Sequence, residues 1–150
     1  MPQLSFNKVG ITGLAAAVPK NTIHNYEYTE HFDKESVKNI VDKVGIKERR
    51  FAPEGMCASD LCFAAAEQLI IDMNIDKSEI DLLIFISQTA DYRMPATSII
   101  LQDRLGLSKN VAAFDISLGC SGFVYGLSVA YAMMQTGGFR KALILDGETR

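Results

Sequence analysis

Residues 80–87 read Ile80-Asp81-Leu82-Leu83-Ile84-Phe85-Ile86-Ser87, an almost unbroken apolar run with one charge near its start. A β-strand that alternated polar and apolar positions would wet one face; a continuous run signals a strand covered on both. That burial demands layers above and below the sheet, and the flanking sequence supplies the helices. Residues 35–44 place Val37, Ile40, Val41 and Val44 on one face at spacings of three and four, with Gly45 as a stop. A second helix is predicted over 60–73, opening near Ser59, with Leu61, Ala64, Ala65, Leu69 and Met73 toward a core. A third runs from about 96 to 105 and ends at Gly106. Strands are predicted at 111–117 and 142–145, and a small, apolar helix at 121–135 lies between them. Such alternation implies an α/β fold, a mostly parallel sheet with helices on both faces.

Upstream the pattern is weaker. Residues 9–18 alternate loosely and are rich in small and β-branched types, so a strand is expected there, ending in a turn at Pro19-Lys20-Asn21. Asn25 is placed to cap a short helix reaching about Phe32, and 47–55 read as a charged strand or loop. With 150 residues, 48 % of them hydrophobic, the chain suffices for one well-buried core, and no low-complexity tract or linker divides it. The formal net charge of −3 has its charges scattered rather than massed, which argues against wholesale nucleic-acid binding. No apolar run reaches bilayer-spanning length, and no basic leader precedes Ala15-Ala16-Ala17, so neither a membrane span nor a secretory signal is expected.

Three cysteines, Cys57, Cys62 and Cys120, are odd in number and lack metal-ligand spacing, and the only histidines are His24 and His31. Neither a metal site nor a disulfide framework follows, and free thiols suit the cytoplasm. Cys57 and Cys62, just before and within a predicted helix, read as buried, unreactive thiols.

Cys120 differs from both. It stands in Gly119-Cys120-Ser121-Gly122-Phe123, where a strand stops and a helix begins. The unsatisfied N–H groups and the positive dipole end of a helix N-terminus favour the thiolate, the reactive form of cysteine. The same N–H groups are suited to an oxyanion formed on an acyl group. The competing interpretation of the local pattern is a small buried hydrophobe packed between two glycines. Residues 146–150 follow the last strand as a loop at its carboxyl end, where sites form in parallel α/β folds.

With these motifs in order, the chain resembles the thiolase superfamily and, within it, the β-ketoacyl-acyl-carrier-protein synthase III group. Val9-Gly10-Ile11-Thr12-Gly13 is similar to the family's opening strand. Gly45-Ile46-Lys47-Glu48-Arg49-Arg50 is similar to its Gly-Ile-x-Glu-Arg motif, and Ala113-Phe114-Asp115-Ile116 to the lead-in to its nucleophile. The resemblance runs nearly end to end and implies the first of two similar α/β halves of a five-layer αβαβα fold. It implies that Cys120 takes an acyl group from a coenzyme A thioester and condenses it with malonyl-acyl-carrier protein, with loss of carbon dioxide and no resident cofactor. It also implies a homodimer.

The family's histidine and asparagine belong to the second half and have no counterpart here; His24 and His31 read as surface or helix residues. This chain alone is therefore expected not to complete the condensation. The tryptophan and arginine that clasp adenine in well-studied members align with Asn39 and Lys43, which removes a stacking platform and leaves a point charge. Lys43, Lys47, Arg49 and Arg50 are candidates for drawing in phosphopantetheine or an acidic carrier protein, against the alternative of a solvated charged strand. Met94, before Pro95, aligns with a loop that closes the partner's acyl pocket across the dimer; its alternative is ordinary core filling. Other functions compete. Hydroxymethylglutaryl-CoA synthase, plant-type polyketide synthases and starter-transfer enzymes share the cysteine, and a non-catalytic dimerisation or carrier-docking partner needs none. Dinucleotide binding through Gly10 to Gly13 has the wrong glycine spacing.

Overall fold

The computed structural model describes residues 3–149; Arg150, the end of the 146–150 loop, lies outside the described residues. In chain order the elements are β1 (Asn21–His24), α1 (Lys34–Val44), β2 (Glu48–Phe51), α2 (Ala58–Asp72), β3 (Leu82–Ile86), α3 (Thr97–Arg104), β4 (Ala112–Ile116), α4 (Gly122–Met134) and β5 (Ala142–Asp146). They fall into two compact units, one of residues 3–17 and Cys57–Glu148, the other of Val18–Met56 with Thr149.

The first unit is built around β3. It pairs in parallel with β4 on one side and β5 on the other, Ile84 standing opposite Phe114 and Ile144. All five β3 side chains are fully buried. Their alternation splits the core in two. Leu83 and Phe85 join Ala58, Cys62, Ala66 and Ile70 of α2 and Leu101 of α3, whereas Leu82, Ile84 and Ile86 meet Ala130 of α4. Each such burial is worth roughly 1.5–3 kcal/mol relative to exposure. The expected layered α/β architecture is present.

The buried stripe of α2 lies elsewhere than expected. It is Ala58, Cys62, Ala66 and Ile70, at intervals of four, while Ala64 and Met73 are exposed. Small residues let this helix approach the sheet closely, and bulkier Phe63 and Leu69 pack along the flank. No strand forms over 9–18. A strand requires a ladder partner, and residues 8–14 stand off from the open edge of β5, the two lining a cavity of about 520 Å³. The segment is pinned to α4 instead: the rings of Phe6 and Tyr131 meet edge to face at 5.6 Å, and Gln135 Nε2 donates to the Asn7 carbonyl at 2.5 Å.

In the second unit β1 and β2 pair antiparallel, Asn21 opposite Phe51 and His24 opposite Glu48. The turn expected at Pro19-Lys20-Asn21 gives way at Asn21 to β1, which forms through its pairing with β2. Asp33 caps α1, accepting from the N–H groups of Glu35 and Ser36 at 3.0 and 2.9 Å. Gly45 ends it at φ 81°, a conformation that glycine adopts without strain. Of the predicted apolar face, Val37 and Val41 are buried and Ile40 and Val44 exposed. The helix expected from Asn25 to Phe32 is one 3-10 turn, Asn25–Glu27. Asn25 does not cap it, because its side chain donates to the Ile46 carbonyl at 2.8 Å and accepts from Arg49 Nε.

Candidate active site

β4 delivers the chain to the site. After Ile116 the backbone turns, the N–H of Leu118 donating to the Ile116 carbonyl at 3.1 Å, and a tight turn closes where the N–H of Gly122 donates to Gly119 at 2.6 Å. Cys120 lies within that turn, exposed, directly before the N-cap residue Ser121 of α4. The Ser121 side chain makes no capping hydrogen bond, so no hydroxyl competes for the first-turn amides. The thiol thus stands at the carboxyl end of a parallel strand and at the start of a helix.

Missing side chains hold α4 there. A Cβ at Gly122 would lie 2.7 Å from Ile86 Cγ2, and one at Gly126 would press closer still on Ile86 Cδ1. With Ala130 these form a buried stripe at intervals of four, which brings the helix down onto β3. Gly119 permits a third close approach: a Cβ there would overlap the Gln88 carboxamide, with Gln88 Cγ at 3.0 Å.

Gln88, which no sequence motif marks, lies against this turn, and Glu148 holds the segment that carries it. The N–H of Gln88 donates to Glu148 Oε1, and Thr89 Oγ1 donates to Glu148 Oε2 at 2.5 Å. The only sequence signal for Glu148 was its place in the loop after β5. Asp115, quoted above in the lead-in to Cys120, serves α3 instead: its two oxygens accept the N–H groups of Thr97 and Ser98, both at 2.8 Å.

The other cysteines are differently placed. Cys62 is buried, and its thiol is pushed up to about 12, chiefly by burial and then by Asp146, Asp91 and Glu148. Cys57 is half-buried at the N-cap of α2, where its N–H donates to Asp60 Oδ2 at 3.0 Å. Its thiol is raised above the ordinary range, first by the charge of Asp91.

Among the substrate-binding candidates, Met94 belongs to the same unit as Cys120 and is 90 % exposed, so it is not core filling. Lys43 and Arg49 belong to the second unit. Lys43 is exposed in the last turn of α1. Arg49 donates through Nε to Asn25 Oδ1 at 2.5 Å, and its guanidinium lies 5.0 Å from the Tyr28 ring centre and 5.2 Å from that of Phe51. His24 pairs with Glu48 at 3.1 Å, and His31 sets its ring edge-on to Tyr28. Among the described residues, no group of three His, Cys, Asp or Glu side chains is arranged to hold a metal ion, and no helix is long and apolar enough to cross a membrane.

Comparison with known proteins bears on this turn directly. The family model for 3-oxoacyl-[acyl-carrier-protein (ACP)] synthase III matches residues 114–150, the stretch from β4 through Cys120 to the end of the chain. A β-ketoacyl-ACP synthase III from Caldanaerobacter subterraneus subsp. tengcongensis is 38 % identical over 140 residues, covering 93 % of this chain and 42 % of its own length. The Clostridioides difficile protein of the same name is 38 % identical over 142 residues, 95 % and 43 % of the two chains. This chain belongs to the 3-oxoacyl-ACP synthase III family. It spans about two fifths of the length of these curated synthase III relatives. The fold agrees: a crystal structure of a 3-oxoacyl-ACP synthase from Burkholderia xenovorans superposes with TM-score 0.82 at 37 % identity, over 87 % of this chain and 38 % of that one. OleA from Xanthomonas campestris superposes with TM-score 0.80 at 31 % identity, over 99 % and 47 %. The architecture of this chain is accordingly thiolase-like α/β.

Proposed function

We propose that this chain carries the nucleophile of a 3-oxoacyl-ACP synthase III-type acyltransferase. In the reaction envisaged, the Cys120 thiolate attacks an acyl thioester carbonyl, and a backbone N–H at the start of α4 receives the developing oxyanion. Collapse of the tetrahedral intermediate expels the carrier thiol and leaves an acyl-cysteine. Malonyl-acyl-carrier protein then loses carbon dioxide, and the carbanion so formed attacks the acyl carbonyl and returns the cysteine sulfur as leaving group. The acid–base groups for decarboxylation are assigned to a second thiolase-like half outside this chain. Residues 1–150 would thus be the nucleophile-bearing domain.

The observation that carries this reading is the exposed thiol in the β4–α4 turn, pressed from beneath by no side chain at 119 or 122 and left open to a thioester. Retention of that turn within a synthase III match favours catalysis over a scaffold role. The donor is assigned as acyl-CoA and the acceptor as acyl-carrier protein, in fatty-acid or related acyl-chain synthesis, with no resident cofactor. Lys43 offers a point charge to a phosphate. Arg49, already stacked and hydrogen-bonded, is available only through its outer nitrogens. Met94, projecting into solvent, suits a role across a homodimer. The setting is the cytoplasm, in keeping with the thiols of Cys62 and Cys120.

The test is mass-spectrometric mapping of full-length protein after exposure to radiolabelled acetyl-CoA or iodoacetamide at pH 8. Label should sit on Cys120, and Cys120→Ser should abolish it. Cys62, with its thiol near 12, should stay unmodified in the folded protein. Modification confined to Cys57 or Cys62 would overturn the assignment.

A further inference from the structure

We propose that Glu148 is a positioning residue for the nucleophile turn and acts through Gln88. This rests on Cys120 being the acyl-accepting residue. Three atoms of the Gln88 side chain, Nε2, Cδ and Cγ, fill the space that a side chain at position 119 would occupy. The carboxamide lies against the turn, so the course of the Gln88 backbone bears on the space around the residue preceding Cys120.

Gln88 does not hold itself in place. It follows β3 by two residues, in an exit loop whose first residues Glu148 holds and whose Asp91 is tied to Ser59 of α2. Glu148 Oε1 takes the backbone N–H of Gln88, and Oε2 takes the hydroxyl of Thr89 at 2.5 Å, so both oxygens are spent on consecutive residues. The Thr89 N–H in turn donates to Ser87 Oγ at 3.1 Å. A link from the loop after β5, through the loop after β3, to the turn after β4 joins the carboxyl ends of three adjacent strands. Charged acceptors make the stronger hydrogen bonds, which suits a strut that must not creep. The location carries an electrostatic cost as well: Glu148 holds the Asp146 carboxyl above its ordinary range, after the larger effect of burial.

The experiment uses the full-length enzyme and two readouts at Cys120: the rate of alkylation by iodoacetamide, followed by peptide mapping, and steady-state kinetics with acyl-CoA. Glu148→Gln removes the charge that strengthens both hydrogen bonds and leaves a single acceptor oxygen for the Gln88 N–H. It should lower kcat by about tenfold to a hundredfold, the scale set by ångström-level misplacement, with little change in KM. Glu148→Asp, which keeps the charge and is shorter by one methylene, should recover part of the loss and serves if Glu148→Gln does not fold. Gly119→Ala should slow alkylation in the parent but much less in a Gln88→Ala background, where the obstructing carboxamide is gone. Parental kcat in both Glu148 variants, or an equal effect of Gly119→Ala in both backgrounds, would overturn the proposal. If the parent reacts with no acyl-CoA at Cys120, the proposed function fails. The alkylation cycle still decides whether Gln88 positions the turn.

Discussion

Asp115 stands five residues before the candidate nucleophile, yet its carboxylate faces the start of α3, and replacing it tests whether the strand that presents Cys120 also anchors that helix. The two N–H groups that it accepts belong to Thr97 and Ser98, whose residues are wholly buried, so no water replaces the lost acceptor without rearrangement. Leaving one buried donor unpaired costs about 1–3 kcal/mol. Two such donors, eased by partial fraying of the first turn, put Asp115→Ala at about 2–4 kcal/mol. Asp115→Asn keeps one acceptor oxygen but turns an NH2 group onto the other buried N–H, so it should cost about as much. Urea unfolding of the full-length protein is the assay: both variants should lower the midpoint at unchanged slope. Alkylation of Cys120 in the folded variants should stay near the parental rate, because Asp115 touches neither Gly119 nor Gln88 in its capping role. An alanine variant within about 0.5 kcal/mol of the parent would refute the reasoning, since that is the scatter expected at an uninvolved surface position.

Two further outcomes follow from particular contacts. Gly126→Ala gains about 1 kcal/mol of helix propensity but drives a methyl into buried Ile86, where overpacking costs about 1–3 kcal/mol; a net loss is expected by urea unfolding, and Ile86→Val should relieve it. Asp33 is held below the ordinary aspartate value by the Ser36 hydroxyl, then by the Ser36 and Glu35 N–H groups. Because its folded value is depressed, its contribution to α1 is present above 3.8 and lost as pH falls through the lower folded value. Protection of the Glu35 and Ser36 amides, relative to their intrinsic exchange at the same pH, should therefore fall in acid, and Asp33→Asn should remove that dependence.

The elements legible in the sequence are those whose signal is local. β3, β4, β5 and α4 lie within one or two residues of their expected bounds, because an apolar run and its closing glycine are read within a single window. β1 was not legible, since Asn21–His24 becomes a strand only through pairing with Glu48–Phe51. The helix expected after Asn25 failed for a related reason: the side chain that would cap it is engaged with Ile46 and Arg49, more than twenty residues on. At the candidate site, Cys120 was visible from its neighbours alone. Gln88 and Glu148 were not, because sixty residues separate them and nothing in either one's surroundings marks the other.

The glycine seam beneath α4 sets what variation the family can draw on. A helix seated by the absence of side chains offers no rotamer to adjust, and larger residues at 122 or 126 lift it bodily away from the sheet. The height of the reactive sulfur above β3 is then a backbone property, common to every sequence that keeps those two positions bare. Diversification toward new substrates must be written in the loops beyond the strand tips, where insertions leave that height untouched.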